Sequence, residues 1–346
     1  MKTKLAIIGD EFMLPAMFER EIVAACGEVF EIRSMSNGWP DTPMEHGYAV
    51  PGMDGLKEYL GDADETCEFI ADAEILVTHL APLSAQMFTR LPNLKMVAVS
   101  RGGPVNIDMH AARKHGVQVV NTPGRNASAV AEFTVGAILA QTRRITAGHD
   151  SLRANQWRGD LYRADLAGRE LSEMTVGIIG YGQIGSLLVK LMKVFGARLL
   201  VADPYVQLSQ DDIESGVEKV SLEELLAQSD VVTLHPRVTE ETTHMINSGT
   251  LSMMRSDAIL INTARGPLVD YPALLNALKT GVIAGAMLET FDVEPVPAES
   301  EFLQLPNVTL TPHIAGASVY TITKAAQMAA IEIKRYLENQ PPINGC

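Results

Sequence analysis

The sequence predicts an α/β protein with two doubly wound parallel sheets, a central domain inserted into a discontinuous outer one. Three observations carry this reading. Short, Val- and Ile-rich apolar runs alternate with helical stretches along the whole chain, the pattern of strands buried on both faces. A strand–glycine turn–helix–strand unit begins in the middle of the chain, at 175–203, rather than at its start. A last helical stretch, 318–339, has nowhere to pack except back on the first domain.

The N-terminal strands are expected at 5–8, 29–32, 74–78, 95–99 and 117–120. The turn-rich Asn121-Thr122-Pro123-Gly124 then breaks the chain before a long helix. Asn126 or Ser128 is placed to cap that helix, and Ala131, Val135, Ile138, Thr142 and Ile145 mark one face of it. Residues 150–172, with Trp157 and several arginines, lack periodicity and read as an interface segment. Further strands are expected at 198–202, 230–234, 258–262, 282–288 and 308–311, giving two sheets of about five or six strands each. The domains are then 1–121 with 313–346, and 122–312 between them, with a ligand cleft crossed by two hinges.

The central unit is a Rossmann-type dinucleotide-binding domain by its local chemistry. Five strand residues, 175–179, run into Gly180-x-Gly182-x-x-Gly185, and a helix follows with Ile184, Leu187, Leu188, Leu191, Met192 and Phe195 three and four apart. Glycines leave room for a tight turn and let backbone amides at the helix start meet a pyrophosphate. Gly180, Gly182, Gln183, Ile184 and Gly185 are therefore cofactor-binding candidates. Asp203 closes the second strand 23 residues after Gly180. That suits a carboxylate accepting from a ribose 2′-hydroxyl and repelling a 2′-phosphate, hence NAD over NADP.

Three features fall at the carboxyl ends of later strands, where doubly wound sheets bind ligands: Asn262-Thr263-Ala264-Arg265, Glu289 through Glu294, and Thr311-Pro312-His313. The trio suits hydride transfer on a 2-hydroxy acid. Histidine exchanges the hydroxyl proton in both directions near neutral pH, and a neighbouring carboxylate, Glu294, favours the imidazolium. Arg265 offers a planar fork for a carboxylate and a charge beside a developing oxyanion.

With these motifs in this order the chain resembles the D-isomer-specific 2-hydroxyacid dehydrogenases from about residue 95 to 338. The resemblance implies that Arg265 orients substrate, that Glu294 and His313 form the acid–base pair, and that a flavodoxin-like substrate domain and the Rossmann-type domain close over NAD. It further implies that Thr263, Ala264, Arg265, Glu289 and His313 lie at the nicotinamide. Ser100-Arg101-Gly102-Gly103 matches the loop whose amides hold the substrate carboxylate, Asn126 matches a cleft position, and 128–172 matches a homodimer arm.

The chain departs from the family at Arg101, where a small residue is usual, and at Glu289, where an aspartate usually meets the nicotinamide carboxamide. It departs again at 234–239. An inward Arg101 implies a polyhydroxylated, phosphorylated or dicarboxylic substrate, since an apolar one would leave a buried cation unpaired. An outward Arg101 would pair with a surface carboxylate instead. The same family includes a dinucleotide-binding corepressor, so an NAD(H)-sensing regulatory protein is the alternative function.

Composition narrows the partners. A net charge of −14 argues against nucleic acid and anionic membranes. The first apolar run is too short for a signal-peptide core, and Cys26, Cys67 and Cys346 are scattered, so a cytoplasmic location is expected. No metal site is expected, because His110 and His115 are five apart and share no helix face.

Overall fold

The computed structural model describes residues 2–39, 52–53 and 55–346. The chain divides into two compact units, 1–125 with 318–346, and 126–317. In the first unit the elements run β1 (Thr3–Asp10), α1 (Pro15–Cys26), β2 (Phe30–Asn37), α2 (Ala63–Ile70), β3 (Ile75–Thr78), α3 (Ala85–Arg90), β4 (Met96–Val99), α4 (Met109–Lys114) and β5 (Gln118–Val120). Its sheet has the order β2-β1-β3-β4-β5, parallel throughout. Every residue of β3 and β4 is buried, as the continuous apolar runs require.

The second unit holds α5 (Ala127–Thr142), α6 (Ile145–Arg153), β6 (Thr175–Ile179), α7 (Gln183–Lys193), β7 (Arg198–Ala202), α8 (Gln210–Glu214), β8 (Glu218–Lys219), α9 (Leu222–Gln228) and β9 (Val231–Leu234). After these come α10 (Ser248–Met253), β10 (Ile259–Asn262), α11 (Tyr271–Thr280), β11 (Gly285–Leu288) and β12 (Val308–Leu310). The parallel order is β12-β11-β10-β9-β6-β7-β8, in which the direction of strand addition reverses between β6 and β9. Ligands of open α/β sheets bind at such a reversal, outside the carboxyl ends of the strands.

The last helix, α12 (Val319–Leu337), returns to the first unit, capped by the Ser318 hydroxyl, which accepts from the Thr321 amide. Its stripe of Ala325, Ala326, Ala329, Ala330 and Ile333 packs with Phe18 and Ile22 of α1 over the sheet. Burying each of the large side chains contributes about 1.5–3 kcal/mol. Beyond α12 the chain turns back. The buried Glu332 carboxylate accepts from the amides of Ile343 and Asn344, and Gly345 bridges Val120 antiparallel.

Several expectations need correction. The second sheet has seven strands, because β8 is two exposed residues that no apolar run announces. The long helix stops at Thr142: Arg144 takes a left-handed φ of 58°, and Ile145 starts a separate helix while largely exposed. Asn126 is the N-cap residue of α5 but makes no side-chain capping bond, its side chain lying instead against Gly316, and Ser128 sits inside the helix. The expected boundary at 312/313 falls five residues before the observed one at 317/318. The His313 and Ala315 amides bond Glu289, which ties that loop to the end of β11 in the second unit. The segment 150–172 holds the end of α6 and two short 3₁₀ turns, 159–162 and 171–173.

Candidate active site

In the second unit, Gly180 has φ of +89° as β6 ends, and Gly182 sits at the N-cap of α7. A Cβ on Gly185 would overlap the Gly180 carbonyl, so the helix can approach the strand only through glycine. The Asp203 carboxylate accepts from the amide of Tyr181, inside the glycine turn, at 2.8 Å, and from those of Tyr205 and Val206 at 2.9 and 3.0 Å. Burial alone would raise its pKa, but the three amides outweigh it and hold the group below the usual carboxylate range. A bare turn, a helix N-terminus and a fixed anion 23 residues after Gly180 fit a dinucleotide.

Around the ends of β10 and β11 the acid–base candidates come together. His313 Nδ1 lies 2.8 Å from one Glu294 carboxylate oxygen, and the other oxygen accepts from the Phe291 amide at 2.8 Å. An ionised carboxylate only accepts, so Nδ1 carries the hydrogen and Nε2 is left for proton exchange. The His313 side chain is 44% exposed, and its backbone holds a left-handed φ of 54° through amide bonds to Glu289 and Thr311 carbonyls. Strain of this kind concentrates at functional loops. Arg265 is exposed, and among the described residues its guanidinium donates only to the Ala264 carbonyl. Asn262 braces the same turn, accepting from the Ala264 amide and donating to the Arg265 carbonyl, while Thr263 and Thr134 hydroxyls meet at 2.7 Å.

Glu289 directly follows β11. It is fully buried, and its carboxylate oxygens accept from the Ala315 amide and the Thr311 hydroxyl. Burial pushes its pKa up, against those two bonds. The carboxylate thus braces the 311–315 loop that carries His313.

His235, in the divergent stretch after β9, bonds the Thr233 hydroxyl through Nε2 at 2.9 Å, and its Nδ1 is buried with no partner among the described residues. Burial pushes its pKa down to about 3. The unfolded chain takes up this proton near pH 6.5, so it binds more protons than the folded one between about 6.5 and 3. Stability therefore falls as pH drops through that window. Urea unfolding of His235→Asn at pH 7 and pH 5 is expected to show a smaller loss of midpoint than the parent protein, and an unchanged difference would remove His235 from this account.

In the first unit, the Ser100 amide donates to the Thr78 carbonyl, and Ser100 Oγ is buried without a partner among the described residues. A Cβ on Gly102 or Gly103 would meet open space. Arg101 corrects the sequence argument. Its guanidinium pairs with the Glu58 carboxylate and donates to the Glu58 carbonyl at 3.3 Å, with the side chains 18% and 26% exposed. It is neither an unpaired buried cation nor a freely solvated surface pair, so it does not by itself demand a polar substrate.

Sequence reasoning missed a neighbouring group. Asp10 ends β1 and His79 follows β3; His79 Nδ1 lies 2.6 Å from Asp10, whose other oxygen accepts from the Met13 and Phe12 amides at 2.7 and 3.0 Å. Arg125 reaches His79 Nε2 at 3.3 Å and lies over the Phe12 ring, 5.9 Å from its centroid. Burial lowers the His79 pKa more than Asp10 raises it, so the imidazole is neutral at pH 7. Burial, with the nearby Arg101 charge, pushes Arg125 down to about 10, still charged at neutral pH. The available signal was a polar residue closing each of two adjacent apolar strands.

Fold and site together define a dinucleotide-dependent oxidoreductase. Residues 135–315 match the family model for the D-isomer specific 2-hydroxyacid dehydrogenase NAD binding domain. The chain is 39% identical over 280 residues to a glyoxylate reductase of Korarchaeum cryptofilum, covering 80% of this chain and 83% of the relative. It is 35% identical to a hydroxypyruvate reductase of Thermotoga maritima, covering 79% and 86%. The solved structure of a D-2-hydroxyisocaproate dehydrogenase superposes with a TM-score of 0.80 at 26% identity, over 99% of both chains. The chain belongs to the D-isomer-specific 2-hydroxyacid dehydrogenase family, and NAD is its cofactor. Among the described residues no helix is long and apolar enough to cross a membrane, and no three His, Cys, Asp or Glu are grouped to hold a metal.

Proposed function

We propose that this chain interconverts a small, polar D-2-hydroxy acid and its 2-keto acid in the cytoplasm. The observation that carries the reading is the Glu294–His313 pair, with Arg265 following β10, the strand next to β11 in the same sheet. When bound, the nicotinamide supplies or accepts the hydride at C2. In the reducing direction His313 gives its Nε2 proton to the carbonyl oxygen as C2 gains the hydride, and Glu294 holds the Nδ1–H throughout. Arg265 lies against the C1 carboxylate and the developing oxyanion. The 100–103 loop holds the C1 carboxylate through its amides, and Asn126, Thr263 and Ala264 shape the space around substrate and nicotinamide. A relative named for glyoxylate supports a small substrate, and relatives named for hydroxypyruvate and D-3-phosphoglycerate support a hydroxylated or phosphorylated one; a dicarboxylic acid is the third class in this reading. Three free thiols suit a reducing compartment.

A homodimer through 128–172 is part of this reading. Trp157 and Tyr162 are 87% and 95% exposed there, and large exposed apolar side chains of this kind mark association surfaces. The test of function is NADH absorbance on incubation with a panel of 2-keto acids. Turnover supports the enzyme, and tight NADH binding without turnover on any acid would favour the NAD(H)-sensing alternative. Cofactor choice is checked in the same assay. Asp203→Ala is expected to weaken NADH far more than NADPH; a parent enzyme at least as efficient with NADPH would refute the role given to Asp203.

A further inference from the structure

We propose that Arg125, held by the Asp10–His79 pair, recognises an anionic group on the substrate remote from C1 and C2, a carboxylate or phosphate. This rests on the function proposed above and names its specificity-determining residue. The place is informative. The strand order β2-β1-β3-β4-β5 reverses direction between β1 and β3, and Asp10 and His79 meet at the carboxyl ends of those two strands. A doubly wound sheet receives its ligand at that point.

The charges explain what would be received. Asp10 faces the His79 N–H and two backbone amides, so its charge is satisfied locally. His79 is left with one lone pair, on Nε2, and that lone pair aims the Arg125 guanidinium. Arg101 is neutralised by Glu58. Arg125 alone has no carboxylate partner among the described residues; besides His79, its one other hydrogen-bond contact is Met13 Sδ, at 3.9 Å. A guanidinium has five N–H donors in a rigid fork, which suits bidentate capture of a carboxylate or phosphate. The Phe12 ring under Arg125 and the Trp39 ring stacked on His79, at 6.5 Å and 9°, limit how this group can turn. His79 and Asp10 are positioning residues here; only Arg125 touches the ligand.

The test uses the full chain with NADH and four acids: pyruvate, hydroxypyruvate, oxaloacetate and 3-phosphohydroxypyruvate. Arg125→Met is expected to lower the ratio of kcat/KM for the better anionic acid to that for pyruvate by about tenfold or more, mainly through KM, as loss of a charge-assisted hydrogen bond would. Arg125→Lys should recover part of the ratio, and His79→Asn should lower it by less than Arg125→Met. Whichever of oxaloacetate or the phosphorylated acid shows the larger effect identifies carboxylate or phosphate as the group. A ratio changed less than tenfold by Arg125→Met overturns the proposal, leaving Arg125 a structural strut. A readout independent of turnover separates this from failure of the enzymatic reading. Trp39 and Trp157 are the two tryptophans. In the Trp157→Phe protein, malonate or inorganic phosphate should therefore saturate a change in Trp39 fluorescence, and Arg125→Met should abolish it. That result without turnover on any acid would keep the anion site and discard the dehydrogenase. A Trp39 response indifferent to Arg125 would discard the anion site.

Discussion

His313→Ala is expected to lower kcat for keto-acid reduction by about 10²–10⁴-fold, the usual cost of losing a general acid–base. The reason lies in the tautomer. Glu294 holds the hydrogen on Nδ1, so Nε2 is the one ring atom able to deliver a proton to the carbonyl oxygen. Glu289 is buried with its oxygens bonded to residues 311 and 315. The dissociation constant for NADH, read by fluorescence, should move far less than kcat, because the glycine turn and Asp203 are untouched. Imidazole added to the assay should restore part of the rate, since the site His313 occupies is open to solvent. A variant that kept near-parent kcat would show that the proton comes from elsewhere.

Gly266→Ala is expected to cost both rate and stability. A Cβ at this position would overlap the Phe291 carbonyl group, which is backbone and cannot rotate away. The Phe291 amide holds one oxygen of Glu294, and the other holds His313. Displacing residue 291 therefore displaces the acid–base pair, and misplacement by about 1 Å costs roughly 10²-fold in rate. The overlap itself should destabilise the fold by about 1–3 kcal/mol. Thermal unfolding and kcat measured on the same preparation check both. A fall in midpoint with full kcat would show that Glu294 does not depend on this close approach.

What could be read from the sequence was what is local. The glycine turn, α7 and Asp203 lie within one stretch, so spacing alone places them together. His313, Glu294 and Arg265 each follow an apolar strand, and parallel sheets bring strand ends to one edge. What escaped was set by distance along the chain or by exposure. Asp10 and His79 are 69 residues apart, and His79 and Arg125 are 46 apart. Arg101 meets Glu58 across 43 residues, and Glu58 has a left-handed φ of 42° that no pattern announces. β8 is solvated and short, and α5 ends where Arg144 leaves helical geometry, without glycine or proline to mark it. Glu289 reads as an ordinary strand-end acid, and its partners Thr311 and Ala315 lie 22 and 26 residues further on.

The returning tail beyond α12 bears on how this protein behaves at high concentration. β5 is the outermost strand of the first sheet, and an open strand edge invites pairing with other molecules. Here the Cys346 amide donates to the Val119 carbonyl and the Asn121 amide donates to the Asn344 carbonyl, so the tail occupies that edge. Glu332, buried beneath, clamps the tail by accepting from two of its amides and the Asn344 side chain. Residues 344–346 thus act as a selvedge, taking the β5 edge out of reach of other strands.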